Sequence, residues 1–153
     1  MTCVRGGAPL NADVRAHIVM DASKHLEWVR SMRLQLLSSA FELSNEHLQA
    51  ASWTNPSNGN QHYTLVEFVW SSQLNDLELF QAHRDKGVIN DAEYSALLPL
   101  VNALIAYSPP NNNWYDHDGV LRDPHWHGVT EIARSALTDV LSLSFNASQW
   151  LTR

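Results

Sequence analysis

The densest chemistry in this chain is the run Trp114-Tyr115-Asp116-His117-Asp118-Gly119, followed closely by Arg122-Asp123-Pro124-His125-Trp126-His127. Imidazoles and carboxylates at such short range are the donor types that hold zinc and related cations. The spacing argues against a closed ligand set. His125 and His127 stand two apart at an expected helix start, so they point to different faces. Asp123 is accounted for as a helix cap before Pro124. No His-Glu-x-x-His and no paired cysteines occur anywhere. The expectation is a loop held by its own side-chain hydrogen bonds, with no metal or other cofactor.

Other chemistries leave even fewer traces. His117-Asp118 resembles the dipeptide of metal-dependent phosphohydrolases, but those enzymes carry it on a helix, and the surrounding residues here predict a loop. His17, His25, His47, His62 and His83 are scattered along the chain. There is no Gly-x-Ser-x-Gly elbow, no Gly-rich phosphate loop, and a single cysteine, Cys3, near the N-terminus. No residue is assigned a catalytic role, and the chain reads as a non-enzyme. A metal-dependent hydrolase or metal-binding helical bundle using segment 116–127 is the alternative.

Charge is the stronger signal. From Leu34 to Leu121 there are ten acidic residues and two basic ones, Arg84 and Lys86, a local net charge of −8. The whole chain is at −6. A field of one sign attracts partners of the other and repels nucleic acid and anionic membranes. The partner-binding candidates are therefore Glu42, Glu46, Glu67, Asp76, Glu78, Asp116 and Asp118, with Trp114 and Tyr115 as aromatic anchors. A solvated face that serves solubility alone would carry the same charges.

These groups must be positioned by helices. A cap at Asp21 or Ser23 opens a helix to about Leu43, with Val29, Met32, Leu36, Ala40 and Leu43 on one stripe. Ser44 reads as the cap of a short helix ending near Trp53, and Asn55–Asn60 as a loop. A second long helix is expected from Tyr63 to Arg84, burying Val66, Trp70, Leu74, Leu77 and Phe80 and stopping at Gly87. Its start, Thr64–Trp70, is rich in strand formers, so a strand is the competing reading there.

Asn90 and Glu93 form a capping box for a third long helix. Its apolar face is Tyr94, Leu97, Leu98, Val101, Leu104 and Ile105, and Pro99 lies inside it. A fourth begins at Asp123-Pro124 and repeats Val129, Ile132, Ala133, Ala136, Leu137, Val140 and Leu141. The predicted fold is all-α: an antiparallel bundle of about four long helices plus one short helix over 21–153, preceded by a flexible arm, 1–20. Trp28 and Trp70 are expected in the core.

At 153 residues and 44% hydrophobic composition the chain can bury a core without staples. No apolar run reaches the ~18 residues of a membrane span, and no secretory signal is visible, so a cytoplasmic location is expected.

The run Pro109-Pro110, then Tyr115-Asp116-His117-Asp118, then Leu121–Val129 resembles segments of small bacterial helical proteins, among them immunity proteins of contact-dependent growth inhibition and related polymorphic toxin systems. The resemblance covers about a seventh of the chain. It implies a cytoplasmic protein that binds and neutralises one cognate toxin domain, often a nuclease and hence basic at its active site. Toxin-contacting residues differ from pair to pair, so it assigns no site residue. A helical adaptor or homodimer is the remaining alternative.

Overall fold

Neither glycine nor proline occurs between residues 12 and 43, so nothing in that span ends a helix. In the structure, a computed structural model, helix α1 accordingly covers Ala12–Leu43. It begins ahead of the Asp21 or Ser23 cap. The structure describes residues 12–53 and 65–150, with side chains described over 21–53, at 65 and over 67–143. Residues 1–11 with Cys3, the Asn55–Asn60 loop, His62 and the side chains of His17 and Val66 lie outside that description.

Leu36, Ala40 and Leu43 are buried along the expected stripe of α1. Trp28, expected in the core, is 37% exposed. Its ring lies between those of His25 and His83, with centroids at 6.0 and 6.5 Å. Helix α2 covers Glu46–Trp53. Its cap is Asn45, not Ser44: Asn45 Oδ1 accepts from Leu48 N–H at 3.0 Å. The Ser44 hydroxyl turns back to the Phe41 carbonyl at 2.6 Å.

The expected second long helix is two short ones, α3 at Leu65–Ser71 and α4 at Leu77–Asp85. The break is built from side chains. Gln73 adopts a left-handed φ of 61°, and its Oε1 lies 2.5 Å from His83 Nε2. The Ser72 hydroxyl donates to the Val69 carbonyl at 2.6 Å and accepts from Leu74 N–H at 3.2 Å. Asp76 then caps α4 by accepting from Leu79 N–H at 2.9 Å. The strand formers at the start are helical, with Leu65, Phe68 and Val69 buried. Two residues placed on the buried face are instead exposed, Trp70 at 75% and Leu77 at 37%.

Gly87, at φ 75°, ends α4 as expected. Val88 N–H reaches the His83 carbonyl at 2.9 Å and Gly87 N–H the Arg84 carbonyl at 3.0 Å, a complete Schellman motif. Helix α5 covers Asp91–Ala106 and has both halves of the Asn90–Glu93 capping box. Glu93 also receives both Arg33 nitrogens, one at 2.6 Å, fastening α1 to the start of α5. This pairing holds the Glu93 carboxyl below its ordinary range, the Arg33 hydrogen bond outweighing burial. Pro99 lies inside α5, and Ile105, placed on the buried face, is 48% exposed.

A 3-10 turn at Pro110–Asn112 and a short helix α6 at His117–Leu121 precede α7, Pro124–Trp150. Both α5 and α1 lie against α7. The buried face of α7 is Trp126, Val129, Ala133, Ala136 and Val140, with Thr130 buried beside them. This three- and four-residue seam is narrower than the stripe read from sequence, because Ile132 and Leu141 are 36% and 60% exposed. At the core, Trp53 stacks near Phe68 and Trp126, both at 5.8 Å, and Tyr107 lies 4.9 Å from Trp126. Among the described residues the fold is all-helical, and no helix is long and apolar enough to cross a membrane.

Candidate partner-binding cleft

The connector between α5 and α7 is closed at its base. Tyr107 OH, just past α5, donates to Asp123 Oδ2, just before α7, at 2.9 Å in a buried setting. Burial first, and the Asp123 carboxylate second, push the Tyr107 phenol well above its ordinary range. Asp123 also performs the capping read from sequence, accepting at its Oδ1 from His125 N–H at 3.1 Å. Trp114 is half-buried and presents an edge to the Tyr107 ring at 5.7 Å.

Two successive residues, Asn111 and Asn112, sit at φ 54°. Asparagine tolerates this left-handed region better than most side chains. Asn113 Oδ1 then accepts from Tyr115 N–H at 3.1 Å. Asp116 caps α6 through Gly119 N–H at 3.0 Å, and a Cβ at Gly119 would collide with that carboxylate. His117-Asp118 therefore occupies the first turn of α6, not the loop expected from sequence.

Leu65 N–H donates to His117 Nε2 at 3.3 Å, tying the start of α3 to the start of α6. Trp70, at the other end of α3, comes to lie beside the connector. Trp70, Asn112, Asn113, Trp114 and Tyr115 line a cleft of about 250 Å³. Trp70 is 75% and Tyr115 70% exposed.

The expected acidic residues divide into groups. Asp116 directly follows Tyr115 and Asp118 comes three positions after it, and both are exposed. Glu67, also exposed, stands one turn before Trp70 on the same face of α3. Asp76 and Glu78 are exposed on and before the first turn of α4, and Glu46 is half-buried at the start of α2; none lines the cleft. Glu42 is buried at 9% exposure, which removes it from any solvent-facing acidic surface. The end of α1 is covered by α2, whose Gln49 Nε2 donates to the Glu42 carbonyl at 2.9 Å. Trp70 was missed because its apolar type and spacing fit a buried stripe. Its signal was local: Ser71-Ser72 follow it, and hydroxyls that bond back to the preceding turn favour helix ends.

The histidines of the segment have separate tasks. His117 receives Leu65, and His127 Nε2 lies 2.7 Å from the Leu121 carbonyl at the end of α6. His125 faces a different groove, between α5 and α7, with Ala103, Tyr107, Gly128 and Ile132. Among the described residues, no three of His, Cys, Asp and Glu gather into a group that could hold a metal ion.

No protein-family model, curated protein or solved structure matches this chain.

Proposed function

We propose that this chain is a binding protein that neutralises a basic protein partner, with a nuclease-type toxin domain as the candidate, through the cleft at Trp70, Trp114 and Tyr115. One observation carries the reading: two aromatic side chains, largely exposed, share a cleft whose neighbours in the chain are the exposed carboxylates Glu67, Asp116 and Asp118. Exposed tryptophan and tyrosine are the residue types that most often dominate a protein interface. Carboxylates around them would steer a cationic domain and discriminate against anionic ones. The likeness of Tyr115–Asp118 and Leu121–Val129 to immunity proteins points the same way, toward a cytoplasmic inhibitor. The scaffold in this reading is an antiparallel bundle about α7, supported by the Tyr107–Asp123 bond that joins the end of α5 to the start of α7.

The test is a paired capture from bacterial lysate on immobilised wild type and on the variant Trp70→Ala/Tyr115→Ala/Asp118→Lys. The expected result is one basic protein retained by wild type, released by rising salt and absent from the variant. Identical proteins on both would overturn the reading.

A second reading, self-association, is favoured by one observation. Leu34 and Phe41, two turns apart on α1, are 68% and 51% exposed and share a face. A homodimer would cover them, and sedimentation equilibrium at rising concentration tests it. A mass fixed at one chain removes it.

A further inference from the structure

The size and lining of the cleft say more about what enters it, on the premise that it is the binding site proposed above. We infer that the cleft receives a single cationic side chain of the partner, the guanidinium of an arginine.

At about 250 Å³ the cleft is smaller than the roughly 300–1,000 Å³ pockets that enclose drug-sized ligands. That size suits one long side chain. Three of its five lining residues are Trp70, Trp114 and Tyr115, whose ring faces carry negative partial charge. The other two, Asn112 and Asn113, carry carboxamides, which can accept hydrogen bonds and carry no charge. Among the described residues, no basic side chain lines the cleft. The nearest cation along the connector, Arg122, is turned onto the Asp118 carbonyl at 3.0 Å.

These features favour guanidinium in particular. It is planar, stacks on aromatic faces, is weakly hydrated and presents several N–H donors to surrounding oxygens. An apolar side chain would gain from the rings but would leave the Asn112 and Asn113 oxygens without a new donor. Asp116 and Asp118, next to Tyr115, add a favourable field for positive charge. The left-handed Asn111 and Asn112, together with the Asn113–Tyr115 bond, fix the connector in this shape.

The experiment is a titration of the ¹⁵N-labelled full chain, following tryptophan indole N–H signals, with Trp70 assigned through Trp70→Phe. The probes are Nα-acetylarginine amide and its citrulline analogue, which has nearly the same shape and no charge. Saturable shifts of the Trp70 and Trp114 signals with the arginine probe, absent with citrulline, are expected. Tyr115→Ala should weaken that binding about two- to fivefold. Equal shifts with both probes, or no saturation with either, would overturn the inference. If the arginine probe fails while capture still depends on Trp70 and Tyr115, only the guanidinium assignment falls. If capture depends on neither residue, the binding reading falls with it.

Discussion

The indole N–H of Trp126 donates to Gln49 Oε1 at 2.9 Å, and both residues are wholly buried. The same Gln49 donates through Nε2 to the Glu42 and Leu43 carbonyls, each at 2.9 Å. One carboxamide thus serves two of the last carbonyls of α1, together with the indole of α7, and for Leu43 it does so where no backbone N–H is in place. Gln49→Leu keeps the volume and orphans the Leu43 carbonyl and the Trp126 indole N–H, while the Glu42 carbonyl keeps the Asn45 N–H at 3.1 Å. The expected loss is about 2–4 kcal/mol in urea unfolding followed by tryptophan fluorescence. A variant as stable as wild type would show that the network adds nothing to folding.

Two glycines should respond to alanine with opposite signs. Neither would meet an atom within 4 Å at its new Cβ. Gly87 sits at φ 75°, where alanine is strained, so Gly87→Ala should cost about 1 kcal/mol. Gly128 lies inside α7, so Gly128→Ala should add about 0.5–1 kcal/mol by raising helix propensity. Melting temperatures moving in the same direction would contradict the assignment.

Acid should weaken the fold in two windows. His83 is buried beside Lys86, and desolvation, then that charge, lower its affinity for protons. A histidine held neutral contributes stability that is full above its unfolded value of about 6.5 and declines as pH falls from there through the folded value. Glu93, held low by Arg33, contributes stability present above about pH 4.3 and lost as pH falls through its depressed value. His83→Gln should flatten the first window and Glu93→Gln the second. The check is unfolding free energy measured between pH 7 and pH 3 in all three proteins, with roughly half-unit steps.

The aromatic residues of the cleft separate structure from binding. Trp70→Ala and Tyr115→Ala remove side chains that are largely exposed, so stability should change by about 0.5 kcal/mol or less while binding is lost. Trp114→Ala removes a ring packed edge-on to Tyr107, so about 1–3 kcal/mol of stability should go with it. Equal melting shifts for Trp70→Ala and Trp114→Ala would erase that distinction.

What could be read from sequence was what neighbours in the chain decide. Asn90 with Glu93, Asp123 with Pro124, and Gly87 each act within one helical turn, and each performs as its residue type dictates. The break between α3 and α4 is different. The apolar period runs on through it, and Leu74 is buried although it lies outside both helices. What bends the chain is Gln73, held by His83 from ten positions away, and that pairing has no local signature. The same holds for Glu42, an acid on a helix whose burial depends on α2 folding over it. Of the candidate site, Trp114, Tyr115, Asp116 and Asp118 were legible as aromatics set against carboxylates. Trp70 was not, since its place beside them depends on His117 holding the start of α3.

On the proposed binding reading, the Tyr107–Asp123 bond also bears on how the target could change. It closes the segment between them at the root, while Asn111, Asn112, Asn113 and Tyr115 stand exposed at the tip. Substitutions at the tip would then alter what is recognised without passing the cost to the helices beneath. In that reading the connector is an exchangeable fingertip on a fixed hand.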